Sequence, residues 1–140
     1  MSTKENKEAS VRGLEEAYNK GNVDNLDQGI APNYVLHATP EVKGPEGLAQ
    51  SVKTIRTAFP DIHVKVDYAV AEGDMVAFFS TMTGTFTGEI PGMDTKPTGK
   101  KMSIKIANLT RFEGSKAVEA WQWTDSLEWY RQLGIPIPSK

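Results

Sequence analysis

From Ile62 to Thr124 the chain is a succession of strand-like segments joined by turns, and no other feature limits its possible folds so sharply. Strict alternation sets Ile62, Val64, Val66, Tyr68 and Val70 on one face of the first segment, with His63, Lys65, Asp67 and Ala69 on the other. His63 thus belongs to solvent. Glu72-Gly73-Asp74 turns the chain into a long strand, Met75 to Thr87, in which Gly84 marks a bulge or a bend. Lys101 to Phe112 places Met102, Ile104, Ile106, Asn108, Thr110 and Phe112 on one face. Val118 to Thr124, rich in aromatic and β-favouring residues, closes the run.

Helical patterns precede these strands. Val11, Leu14, Ala17 and Tyr18 share one face of a helix from Lys4 to Lys20, which Gly21 stops. Tyr18 belongs to the core or turns its hydroxyl into a pocket. Val23, Leu26 and Ile30 fit a shorter helix over 23–30, ended by the restriction that Pro32 places on Ala31. After a short strand, Tyr34 to Ala38, Pro45 opens a helix to about Phe59, with Leu48, Val52, Ile55 and Phe59 inward. Helices first, then a run of hairpin-connected strands, is the order of an α+β domain with helices on one face of a curved antiparallel sheet. At 140 residues and 39% apolar content the chain suits one domain, 1–140.

Composition narrows the chemistry. With no cysteine and only two histidines, disulfides, thiolate nucleophiles and zinc-thiolate sites are excluded, and no two histidines fall at metal-ligand spacing. No metal or cofactor is expected. A formal charge of -2 with interspersed signs gives no basic stripe for nucleic acid. No stretch is apolar enough to span a membrane, and MSTKENKEAS lacks the apolar core of a signal peptide, which makes the cytoplasm the expected location.

Candidate site residues cluster late in the chain. In VEAWQWTDSLEWYRQLG, Asp125 stands where a strand becomes the helix Ser126 to Leu133, which Gly134 ends. It either caps that helix or faces a cavity walled by Trp121 or Trp123 as an acid or base. His37, in YVLHA, shares a strand face with Val35, either satisfied by a backbone carbonyl or acting as a base or donor at a cavity mouth. Asn108 sits on an otherwise apolar face and needs partners from a neighbouring strand or a ligand. A three-residue hairpin loop, Gly114 to Lys116, sets it opposite Gln122; a loop of two or four residues sets it opposite Trp121. Gly88 to Gly99, GEIPGMDTKPTG, is an ordinary long connection or a lid carrying Ile90 and Met93 as apolar contacts.

The order and spacing of YNKGNVDNLDQGIAPNYVLH, GPEGL, AFPD, EGD, GTFTGEIPGMDTKPTGK, W..TD and QLG resemble the SnoaL-like polyketide cyclases, or ester cyclases, across nearly the whole chain. The resemblance implies an NTF2-like cone-shaped α+β barrel, commonly a homodimer, with an apolar cavity between helices and sheet. It also implies cofactor-independent ring closure by intramolecular aldol condensation. Aligned through QLG, that family's catalytic Asp position falls on Gln122, and a His on the preceding strand falls on Asn108. Asp125 matches a more widely shared Asp, and His37 resembles the His after the first strand in many members.

Two functions follow. In the first, acid-base chemistry on an apolar carbonyl-bearing small molecule, by cyclisation or isomerisation, uses Asp125 as base and His37 as donor or orienter. Asn108 and Gln122 would hold the carbonyl or enolate oxygen, and Trp121, Trp123 and Tyr18 the apolar wall. In the second, the same cavity binds a ligand or supports dimerisation without turnover. A homodimer through the outer sheet face is expected from Ala107, Leu109 and the neighbouring tryptophans.

Overall fold

The computed structural model describes residues 3–137. Helix α1 (Thr3–Leu14) runs on into a π-helical turn, Glu15–Asn19, that carries Tyr18, and Gly21 ends it at φ 73°. There follow β1 (Ile30–His37), β2 (Val42–Lys43), α2 (Gly44–Ala58), β3 (His63–Glu72), β4 (Met75–Thr85), β5 (Lys101–Glu113), β6 (Lys116–Thr124) and α3 (Ser126–Leu133). The strands make one curved six-stranded sheet in the order β2-β1-β6-β5-β4-β3. Its pairs are antiparallel except for β1 and β6, which lie parallel and set the first strand between β6 and the short edge strand β2. Among the described residues no helix is long and apolar enough to cross a membrane.

The helix expected over 23–30 is a correction: only a single 3-10 turn forms, Leu26–Gln28, and Ile30 already begins β1. Apolar spacing at 23, 26 and 30 fits a helix, but pairing with the distant β6 wins. Ile30 lies opposite Ala117, and the Ala117 N–H donates to the Gly29 carbonyl at 2.9 Å. At Gly84 the bulge alternative is a second correction, since the residue sits in regular register opposite Met102. A side chain there would press on Phe59, whose Cβ lies 3.1 Å and ring carbons 3.3–3.4 Å away.

Two bulges in the antiparallel pairs shape the sheet, in addition to a register break between Ile30 and Val35 where β1 meets β6. In β3 an extra residue between Val66 and Tyr68 reverses the alternation, so Ala69 and Ala71 turn inward while Tyr68 and Val70 go to the convex face at 72% and 60% exposure. This overturns their inward assignment. In the β5–β6 hairpin the turn is two residues, Gly114-Ser115, with positive φ confined to Gly114, and Glu113 lies opposite Lys116. That register alone would set Asn108 against Trp121. A bulge beyond Phe112 shifts it by one, and Asn108 lies opposite Gln122.

The buried side chains form two groups. One gathers Phe59, Val64, Met82, Phe86, Ile104 and Leu133; the other gathers Tyr34, Leu36, Val76, Phe78, Phe112 and Ala120. Leu14 packs against both. Truncating a wholly buried member such as Leu133 to Ala costs about 2–5 kcal/mol. Helix α1 packs on β3 and β4, α2 on β1 and β2, and α3 on β5.

Candidate functional site

Concave-face positions of the central strands change character between the two apolar groups. Along β4, Ser80 separates Phe78 from Met82; along β5, Asn108 and Thr110 separate Ile106 from Phe112; on β6, Gln122 and Thr124 follow Ala120. These residues form a polar seam across the sheet. Ser80 and Thr110 are buried, whereas Asn108 and Gln122 are only half-buried although their strands are central. An inward side chain on a central strand keeps exposure only where the covering layer leaves open space.

The seam's own hydrogen bonds decide what it offers. The Thr110 hydroxyl donates to Asn108 Oδ1 at 2.7 Å, which fixes the amide and leaves both Nδ2 hydrogens without a partner among the described residues. Gln122 Nε2 makes a long 3.5 Å contact to Thr124 Oγ1. Among the described residues the open groups are therefore the Asn108 N–H pair, a second Gln122 N–H and the Gln122 carbonyl oxygen, and the N–H groups suit a ligand oxygen. Tyr18 and Tyr34 supply phenols to the same interior, and burial raises both above the ordinary phenol value, with Tyr34 raised further by Tyr18. Both stay neutral donors.

Other expected site residues lie elsewhere. Asp125 is exposed and accepts the Glu128 N–H at 3.2 Å, so its carboxylate caps α3. His37 faces the convex side. Its Nε2 lies 2.7 Å from Glu119 Oε2, its Nδ1 3.3 Å from Glu41 Oε2, and its ring stacks on Trp121 with centroids 5.5 Å apart. The expected Asp125–His37 pair is thus not formed: the groups at the His37 ring are Glu119 and Glu41. Trp121 and Trp123 are also on the convex side, because the residue between them, Gln122, takes the inward position opposite Asn108. Trp123 is 58% exposed. Ile90 and Met93 pack from the 88–99 loop onto the group around Phe59 and Leu133.

Glu119 was the residue missed. The hydrogen bond to it raises His37 above the ordinary histidine value, with partial opposition from desolvation, and the same bond lowers Glu119. Arg111 completes the cluster at 3.4 Å. The only signal in the sequence was a lone acid alternating with Trp121 and Trp123.

QLG proves to be a clasp. Gln132 accepts from the Ser103 N–H at 2.7 Å and donates to the Ser103 carbonyl at 3.2 Å, standing in for a strand where β6 has already ended. Glu128 orients it at 2.6 Å and is itself held near pKa 2 by Arg131 and then Gln132. Leu133 is wholly buried and Gly134 closes α3 in the left-handed conformation.

A groove of about 750 Å³ lies at the β1–β2 end of the sheet, between residues 23–27, β1 and the first turns of α2. Val23, Leu26, Pro32, Val35, Pro45 and Ala49 wall it, together with Tyr34.

Comparison with known proteins adds the following. The family description "SnoaL-like polyketide cyclase" matches residues 8–133. Aklanonic acid methyl ester cyclase AcmA of Streptomyces galilaeus is 33% identical over 134 residues, covering 93% of this chain and 92% of that protein. Nogalonic acid methyl ester cyclase of Streptomyces nogalater is 31% identical over 126 residues, covering 87% and 92%. The structure of TsrD from Streptomyces laurentii superposes with a TM-score of 0.86 at 24% identity, covering 97% and 99% of the two chains, which speaks for the fold alone.

Proposed function

The chain belongs to the SnoaL-like polyketide cyclase family, and on that premise we propose that it closes a ring in a small, apolar, carbonyl-bearing molecule held on the concave face, without a cofactor. What carries this reading is the polar seam between two apolar groups, with the free Asn108 amide at its centre. The apolar groups hold the carbon skeleton. Asn108 and Gln122 hydrogen-bond the oxygen on which negative charge develops, and Tyr18 and Tyr34 add neutral donors.

An aldol closure has three transfers. A proton leaves the carbon between two carbonyl groups, that carbon attacks a second carbonyl carbon, and the resulting alkoxide takes up a proton. Gln122 exchanges no proton near neutral pH, and among the described residues no carboxylate or imidazole occupies the seam, so the first proton passes to solvent water. The protein's contribution is then to hold the reacting carbons together and to stabilise the enolate oxygen. One aligned donor of that kind is worth about 10²–10³ in rate.

The same lack of an acid or base in the seam favours a second reading, binding without turnover. One assay separates them. Incubation with aklanonic acid methyl ester or nogalonic acid methyl ester, the compounds in the relatives' names, should give a product of unchanged mass and altered retention. Asn108→Leu should slow it by about 10²–10³-fold. Saturable binding without product would leave the second reading.

Assembly as a homodimer completes the proposal. Tyr68, Val70, Phe79 and Trp123, 45–72% exposed, share the convex face, and apolar area of this kind is covered in solution. Sedimentation should report a dimer that Phe79→Glu dissociates; a monomeric parent would refute it.

A further inference from the structure

We propose that the Thr3–Leu14 stretch of α1 is a hinged cover, which lifts from β3 and β4 about the π-helical turn that follows it and opens a way to the concave face. The movement is independent of the cyclisation reading; only the molecule it admits rests on that reading.

Helix α1 is docked through a polar residue. Of its 12 residues only Asn6 is buried, at 4% exposure, and its Oδ1 has no hydrogen-bond partner among the described residues. A buried acceptor left unpaired disfavours the closed position and is hydrated once the helix lifts, which shifts the balance toward opening by about 5–150-fold. The other two helices are anchored on apolar side chains instead: α2 buries Val52 and Ala58, and α3 buries Leu133. Ser10, one turn beyond Asn6, is turned back on the helix, donating to the Asn6 carbonyl at 3.0 Å. Leu14 is the first residue of α1 to pack on either apolar group. At the start of the helix the Thr3 hydroxyl donates to the Gly73 carbonyl at 3.0 Å, an exposed bond for which water competes.

Beyond the hinge the chain is held firmly. Asn19 donates from Nδ2 to the Val64 carbonyl at 2.9 Å and accepts the Val64 N–H at 2.6 Å, Arg56 donates to the Tyr18 carbonyl at 2.6 Å, and Ala17 is buried. The boundary falls at the π-helical turn Glu15–Asn19, where the winding changes. Gly13, just before it, has nothing within 4 Å of where a Cβ would stand. A glycine in open space beside a change of winding is where a helix bends.

The bonds at Gly73 and Val64 also say what the cover lies on. They run α1 from the β3–β4 turn back along β3, so Asn6, about 4.5 Å beyond Thr3 along the helix axis, stands near Ala71. Ala71 lies opposite Val76, which lies opposite Thr110; the neighbouring row runs from Ala69 through Phe78 to Asn108. Lifting the helix therefore uncovers rows that lead to the polar seam. The β3 bulge contributes by turning Ala69 and Ala71 inward in place of Tyr68 and Val70, so small side chains lie beneath the cover and little apolar contact is lost when it lifts.

The chain has no cysteine, so single thiols report the movement. Val76→Cys places one beneath the cover at a position 1% exposed, and Ala120→Cys places a control across the same sheet row at a position 0% exposed. Reaction with iodoacetamide is followed in buffer and in urea below the unfolding transition. The first thiol should react at least about tenfold faster than the second and with little urea dependence, because the opening exposes less surface than unfolding does. Asn6→Leu, added to Val76→Cys, removes the unpaired oxygen and should slow that reaction at least about fivefold. Hydrogen exchange in the unsubstituted chain checks the result: the Val11 and Leu14 amides should exchange at least about tenfold faster than the Val64 amide that Asn19 holds. Equal rates for the two thiols, a reaction of Val76→Cys with the full urea dependence of unfolding, or one that Asn6→Leu leaves unchanged would each overturn the proposal. If either cysteine variant fails to fold, the exchange comparison decides, and equal exchange at Val11 and Val64 overturns it. An opening cover without ring closure would sink the cyclase reading alone; ring closure with α1 held shut would sink this inference alone.

Discussion

Exchanging Gly88 for Ala should cost about 3 kcal/mol, and the same exchange at Gly13 should have the opposite sign. A Cβ on Gly88 would stand 1.9 Å from the Thr57 carbonyl oxygen, 2.8 Å from its carbon and 3.2 Å from the Ala58 Cα. Carbon and oxygen in contact sit at about 3.3 Å, so the backbone would retreat by more than about 1 Å. Such overpacking costs about 1–3 kcal/mol. The retreat also strains two bonds that pin the loop to the end of α2, from the Thr87 and Gly88 N–H groups to the Ala58 carbonyl, each 3.0 Å. Their weakening adds about 1 kcal/mol. At about 3 kcal/mol the melting temperature falls by roughly 10 °C for a chain of this size. Gly13 has nothing within 4 Å of a Cβ and lies in α1, where Ala is favoured by about 0.5–1 kcal/mol. Urea unfolding of both variants measures the pair. A loss under about 1 kcal/mol for Gly88→Ala would refute the close approach of loop and helix.

At Asp125 the cap predicts that Asn is nearly silent in stability and turnover, while Ala lowers stability by about 1 kcal/mol in the same urea assay. Loss of turnover in Asp125→Asn would restore an acid-base role. His37 is raised by Glu119, so its share of the pair's stabilisation is present below the ordinary histidine value of 6.5 and lost as pH rises through its folded value. Glu119 is lowered, so its share is present above 4.5 and lost as pH falls through its folded value. The stability difference between parent and Glu119→Gln should therefore be largest between about pH 4.5 and 6.5 and shrink above it, as read from denaturation at each pH.

What was legible depended on how local the cause was. The inward set of β5, Met102 through Phe112, follows from alternation along a strand that has no extra residue. Asp125 as a cap is equally local, since its partner Glu128 is three residues away. Tyr68 and Val70 were placed on the wrong face because a bulge beyond Val66 reverses alternation and no glycine or proline marks it. The β5–β6 hairpin hides the same effect: its two-residue turn predicts Trp121 opposite Asn108, and the bulge beyond Phe112 restores Gln122. His37 could be put beside Val35 from the sequence, yet its partner Glu119 is 82 residues distant and reached only through the parallel pairing of β1 with β6. The 23–30 segment failed for the same nonlocal reason.

The most direct test of the account is a side-chain NMR titration of the protein with aklanonic acid methyl ester, following the Asn and Gln NH₂ groups together with the His37 ring. The account predicts saturable shifts of the Asn108 and Gln122 amides, because they are half-buried on the concave face between the two apolar groups, and a His37 ring that does not respond. A ligand-dependent change at His37 with Asn108 and Gln122 unmoved would put the site on the convex face and contradict it.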